Sequence, residues 1–220
     1  MGSESVTHSS NHYILVHGVC HGAWCWYKIK PLLESSGHKV TLLDLAASGA
    51  NSKKLQDVET LSEYSEPLLE VMESLPPNEK VVLVGHSLGG LNIALAMEKF
   101  PTKVQVGVFL TAVVPDTQHK PSYVLEKDLE LAMSMLRPGS LFIEDLSQQK
   151  NFSKVGYGSV PRAFIVCTQD LGVPLEFQRW MIENAGISDV MEINGADHMV
   201  MLSKPQELCD CLLKIVMKYQ

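Results

Sequence analysis

The feature that most constrains the fold is residues 81–90, Val81-Val82-Leu83-Val84-Gly85-His86-Ser87-Leu88-Gly89-Gly90. A continuous apolar, β-branched run of this kind reads as a strand buried on both faces. It ends in Gly85-x-Ser87-x-Gly89, a spacing that lets a strand turn sharply into a helix while the central serine holds strained torsions. Residues 88–100 carry Leu91, Ile93, Ala94, Leu95, Ala96 and Met97 and read as that helix. Its N-terminal N–H groups favour negative charge developing at Ser87. The bare motif occurs often by chance. The flanking strand and helix are the context that turns a serine in a tight turn into a candidate nucleophile.

Apolar runs at 12–16, 39–44, 104–114, 162–168 and 190–193 read as further strands. Helical patterns fall between them, at 23–36 with a kink or boundary at Pro31 and a C-cap at Gly37, and at 60–75 before Pro76-Pro77. Two more lie at 175–184 and 206–219. This alternation predicts an α/β fold, a mainly parallel sheet of about six strands with helices on both faces. Residues 12–220 read as one domain behind a flexible tail at 1–11.

A net charge of −7 and a pI near 5.6 argue against nucleic acid or an anionic membrane surface as partner. The five cysteines are odd in number and mostly inside apolar segments, so they read as small core residues of a reducing compartment. The Ser-rich start has no apolar signal-peptide core, and no run reaches membrane-spanning length; the expectation is a cytoplasmic protein.

In a parallel sheet, functional groups collect on loops leaving the carboxyl ends of strands. After the fifth run comes Thr168-Gln169-Asp170-Leu171-Gly172, and after the sixth Asn194-Gly195-Ala196-Asp197-His198-Met199. The order serine, aspartate, histidine is that of α/β-hydrolases. Ser87 is a poor nucleophile at its own pKa and needs a neutral imidazole to take its proton, which assigns His198 as base. Asp170 is the carboxylate that fixes the imidazole tautomer. Asp197, adjacent in sequence, points away from its neighbour, and Asp44 and Asp116 read as loop or cap residues. The tetrahedral intermediate needs two preorganised donors, for which the N–H groups of Val19 and Leu88 are placed. His17, His21 and His86 lack acidic or cysteine partners at metal spacing, so neither a metal nor a cofactor is expected.

Taken together, His17-Gly18-Val19-Cys20-His21-Gly22-Ala23-Trp24, Leu43-Asp44-Leu45-Ala46-Ala47-Ser48-Gly49, the serine elbow and Ala196-Asp197-His198-Met199 closely resemble the plant methylesterase family of α/β-hydrolases. That family acts on methyl salicylate, methyl jasmonate and alkaloid esters, and hydroxynitrile lyases are its relatives. The resemblance implies a serine carboxylesterase acting through an acyl-enzyme, with a small-molecule ester or carboxylic acid ligand and a homodimer. It implies the triad Ser87, Asp170 and His198, oxyanion donors Val19 and Leu88, and substrate contacts at Gly18, His86 and Met199. The lyase branch uses a threonine at the position of Gly18 and a lysine at that of Met199, so ester hydrolysis is favoured. A small-acid binding protein, and hydrolysis followed by decarboxylation, are the alternatives. One departure stands between Lys127 and Asp128, where family members carry a long cap; here it is strongly shortened around 121–137. Loss of most of a lid is expected to expose the acyl site and weaken substrate binding.

Overall fold

The computed structural model describes residues 10–127 and 142–219. Within them six strands form one sheet: β1 His12–Val16, β2 Lys39–Leu42, β3 Val81–His86, β4 Val104–Leu110, β5 Arg162–Cys167 and β6 Asp189–Ile193. Their order is β2-β1-β3-β4-β5-β6, with every neighbouring pair parallel. Central strands β1 and β3 are buried at every residue, whereas the edge strands β2 and β6 are half exposed. That contrast follows from position, since only inner strands are covered on both faces. Two separate apolar clusters sandwich the sheet. One gathers Leu83, Leu91, Phe109 and Phe164; the other gathers Leu15, Trp26, Val84, Ile165 and Leu212.

The helices are α1 Ile29–Ser35, α2 Leu61–Tyr64, α3 Glu66–Ser74, α4 Gly89–Lys99, α5 Tyr123–Lys127, α6 Ile143–Gln148, α7 Leu175–Ala185, α8 Val200–Ser203 and α9 Pro205–Met217. Residues 23–36 divide into a 3-10 turn, Ala23–Trp26, and α1. Pro31 lies in the first turn of α1, where a missing N–H goes unnoticed, so the break precedes it. Residues 60–75 likewise form two helices. Thr60 starts α2 with a capping box to Glu63, and Pro67 opens α3 because it cannot donate to the preceding turn. The Ser65 hydroxyl at the joint donates to the Leu61 carbonyl at 2.7 Å.

Strand β4 stops at Leu110, four residues short of the sequence reading, because Thr111 takes a φ of +37°. Asn11 is buried and its carbonyl accepts from Lys39 N at 2.9 Å, so the sheet holds the chain from that residue onward. The rest of the tail at 1–9 and the cap stretch at 128–137 lie outside the described residues. Beyond that stretch, α6 docks on α2, where Asp145 Oδ2 accepts from Leu61 N at 2.9 Å and Phe142 packs on Tyr64. Among the described residues no helix is long and apolar enough to cross a membrane, and no cluster could hold a metal ion.

Candidate active site

Ser87 sits where β3 passes into α4, with φ +55°, a left-handed torsion that few non-glycine residues adopt. The turn closes only because Gly85 has no side chain: a Cβ there would lie 2.6 Å from the Gly89 carbonyl oxygen. Two bonds to the Ser87 carbonyl, from Gly90 N at 3.1 Å and Val113 N at 3.0 Å, hold the strained residue in place. Ser87 is 2% exposed in this turn.

The loops after β5 and β6 bring Asp170 and His198 together, and His198 Nδ1–H donates to Asp170 Oδ2 at 2.7 Å. The Asp170 side chain has no solvent exposure, while that of His198 is 26% exposed. Burial works against the charged carboxylate, but bonds from His198, Thr111 and the Val173 N–H outweigh it and hold the Asp170 pKa below its ordinary value. Its Oδ1 accepts from Gly172 N at 2.7 Å and Val173 N at 2.8 Å; its Oδ2 also accepts from Thr111 Oγ1 at 2.5 Å. Among the described residues no hydrogen bond joins Ser87 Oγ to His198.

On the other side of Ser87 lies the loop after β1. A Cβ on Gly18 would come within 2.8 Å of Ser87 Cβ, so the backbone approaches the nucleophile directly. The Gly18 carbonyl accepts from His17 Nδ1–H at 2.8 Å and from His21 N at 3.3 Å. Because the peptide is planar and trans, gripping that carbonyl turns the Val19 N–H the opposite way. His17 is locked in turn, since its Nε2 accepts from Leu45 N at 3.1 Å, and burial lowers its pKa. Neither the Val19 N–H nor the Leu88 N–H makes a hydrogen bond among the described residues.

His86, expected to touch substrate, is fully buried. Its Nε2–H donates to the His198 carbonyl at 2.8 Å, and the two rings lie 4.7 Å apart. Burial, then the neighbouring His198, drives its pKa well down, so it is a neutral strut beneath the histidine loop. Met199 is part-buried against the core cluster of α9. Asp197 accepts from Ser203 Oγ at 2.8 Å, away from His198. Asp44 ties two loops, accepting from Ala23 N at 2.6 Å and Ala50 N at 3.0 Å. Asp116 caps its own turn and binds Asn184 Nδ2 at 2.6 Å. Sequence reasoning missed Thr111 and the clamp made by His17. A threonine ending a strand carries no signal of its partner, and the clamp is visible only once the peptide plane is placed.

Residues 11–129 match the family model described as the alpha/beta hydrolase fold. Methylesterase 1 of Arabidopsis thaliana is 51% identical over 94% of this chain and 97% of its own length. Salicylic acid-binding protein 2 of Nicotiana tabacum is 48% identical over 94% of this chain and 98% of its own. Both alignments span 254 positions against a chain of 220 residues, so part of each relative has no counterpart here. The crystal structure of polyneuridine aldehyde esterase superposes with a TM-score of 0.89 at 46% identity, covering 94% of this chain and 100% of that one. The chain belongs to the plant methylesterase family of α/β-hydrolases.

Proposed function

We propose that this protein is a serine carboxylesterase that hydrolyses methyl esters of small plant metabolites, with Ser87, His198 and Asp170 as its triad. The observation that carries the reading is the buried Asp170 bonded to a part-exposed His198, whose ring lies 4.7 Å from that of His86, the neighbour of a serine held at φ +55° on a strand-to-helix turn. His198 Nε2 takes the Ser87 proton as Oγ attacks the ester carbonyl. The Val19 and Leu88 N–H groups receive the oxyanion, each donor worth roughly 3 kcal/mol of transition-state stabilisation in comparable sites. Collapse expels methanol, which takes its proton from His198 and leaves an acyl-enzyme. Water, deprotonated by the same imidazole, then releases the acid and restores Ser87.

Cyanohydrin cleavage is disfavoured, because Gly18 offers no hydroxyl and Met199 no cation for a departing cyanide. Methylesterase and esterase activities named for the relatives support the ester reading, and residues 12–220 act as one domain in it. The test is hydrolysis of p-nitrophenyl acetate and of methyl salicylate, methyl jasmonate and alkaloid carbomethoxy esters, each against Ser87→Ala. Turnover lost in that variant is expected; turnover equal in both proteins would sink the reading. Calorimetric binding of a small acid without turnover would instead point to a binding protein. A product lighter by carbon dioxide would show that the released acid decarboxylates. Light scattering tests the homodimer that the family resemblance implies.

A further inference from the structure

We propose that Thr111 is a positioning residue that tunes the Asp170–His198 pair, by donating its hydroxyl to the same carboxylate oxygen that receives the imidazole N–H. This rests on the esterase reading for its consequence in turnover, but the geometry stands apart from it. Asp170 Oδ2 accepts both Thr111 Oγ1–H at 2.5 Å and His198 Nδ1–H at 2.7 Å. The aim of the carboxylate does not need Thr111, since the N–H groups of Gly172 and Val173 already fix Oδ1 at 2.7 and 2.8 Å. What remains for the hydroxyl is electrostatic. A second donor on Oδ2 draws charge from the oxygen that would otherwise hold the imidazolium alone, and so moderates the pull of Asp170 on His198.

The backbone shows that this contact is maintained under strain. Thr111 is β-branched, fully buried and at φ +37°, a torsion that such residues rarely adopt and that glycine or asparagine would enter more easily. Its N–H is tied to the Ile165 carbonyl at 2.9 Å, which fixes the residue between β4 and β5 and directs the hydroxyl across to the β5 loop. His86 from β3 faces the His198 ring, and Cys167 at the end of β5 feels both Asp170 and Asp197. Burial pushes the Cys167 thiol up and His86 well down, so both stay neutral at working pH. Thr111 is therefore the adjustable neutral donor at this carboxylate.

The test compares Thr111→Val, which keeps the shape, with Thr111→Ser, which keeps the hydroxyl, and adds Thr111→Ala as a hydroxyl-free variant with less backbone strain. Two readouts are taken on each: the low-field NMR resonance of the His198 Nδ1 proton, which needs no substrate, and the acid limb of kcat/KM. Loss of the hydroxyl is expected to strengthen the remaining His198–Asp170 bond. The resonance then moves further downfield in the valine and alanine variants, and the acid limb moves to higher pH. The serine variant stays near wild type in both. A resonance unmoved in valine and alanine would overturn the proposal and leave Thr111 as a buried hydroxyl that merely found a partner. If the wild-type protein turns over no ester, the esterase reading fails by itself and the resonance alone decides the role of Thr111.

Discussion

His17 shows how much a single side chain governs at a distance from the chemistry. It touches no reacting atom, yet its Nδ1–H on the Gly18 carbonyl and its Nε2 on Leu45 N set the plane that aims Val19 N–H. His17→Ala should lower kcat on the order of 10- to 100-fold with KM changed far less, because an oxyanion donor acts in the transition state. His17→Asn, which places an N–H near the Nδ1 position, should recover most of that loss. Equal falls in kcat for both variants, with KM rising in step, would show that the loop has simply come apart. At this scale the sequence offered candidates where chemistry demands a residue type at a strand end, as with Ser87, Asp170 and His198, and the structure brings Asp170 and His198 into contact. It was unreadable where function depends on a torsion. Nothing in Leu110-Thr111-Ala112 signals a left-handed threonine, and sequence cannot say that the His86 ring lies against that of His198.

Among elements, α4 makes close backbone approaches at its start. A Cβ added at Gly90 would lie 2.1 Å from the Val113 carbonyl oxygen, so α4 packs directly on the chain leaving β4. Gly90→Ala should destabilise the protein by about 1–3 kcal/mol, since the wedge meets backbone rather than a flexible side chain. Thermal unfolding checks it, and an unchanged Tm would show that α4 can slide without cost. Because Val113 N also holds the Ser87 carbonyl, activity should fall at temperatures where the variant is still folded. Strands were legible as apolar runs to within a few residues. Helix interruptions were less so: Pro67 stands in the sequence, but an amphipathic stripe spanning Leu61 to Leu75 continues through the break and conceals it.

Across the molecule, three histidines buried among the described residues, His12, His17 and His86, are placed to couple folding to pH. Burial is the leading cause of the lowered pKa of His12, His17 and His86 alike. Each binds a proton less readily folded than in the unfolded chain, where the value is about 6.5. The unfolded state therefore takes up more protons as pH falls below about 6.5, and stability declines there. The depressed carboxylates Glu79, Asp116 and Asp170 act further down, giving up their contribution as pH drops below the ordinary carboxylate range. Tm should thus fall in two stages, first between about pH 6.5 and 5 and again below about pH 4. A Tm flat from pH 7 to 5 would mean that these rings stay accessible to protons. The sheet order carries a separate consequence. The proposed nucleophile, base, acid partner and oxyanion donors leave β1, β3, β5 and β6, with Thr111 from β4, and none comes from the long crossover between Pro115 and Pro161. The described part of that crossover serves the fold instead: Leu146, Phe152 and Tyr157 are buried in the core beside α4, and Tyr157 Oη donates to the Pro115 carbonyl at 2.7 Å, so the proposed cleaving groups are borne by strand ends that the crossover helps to hold together.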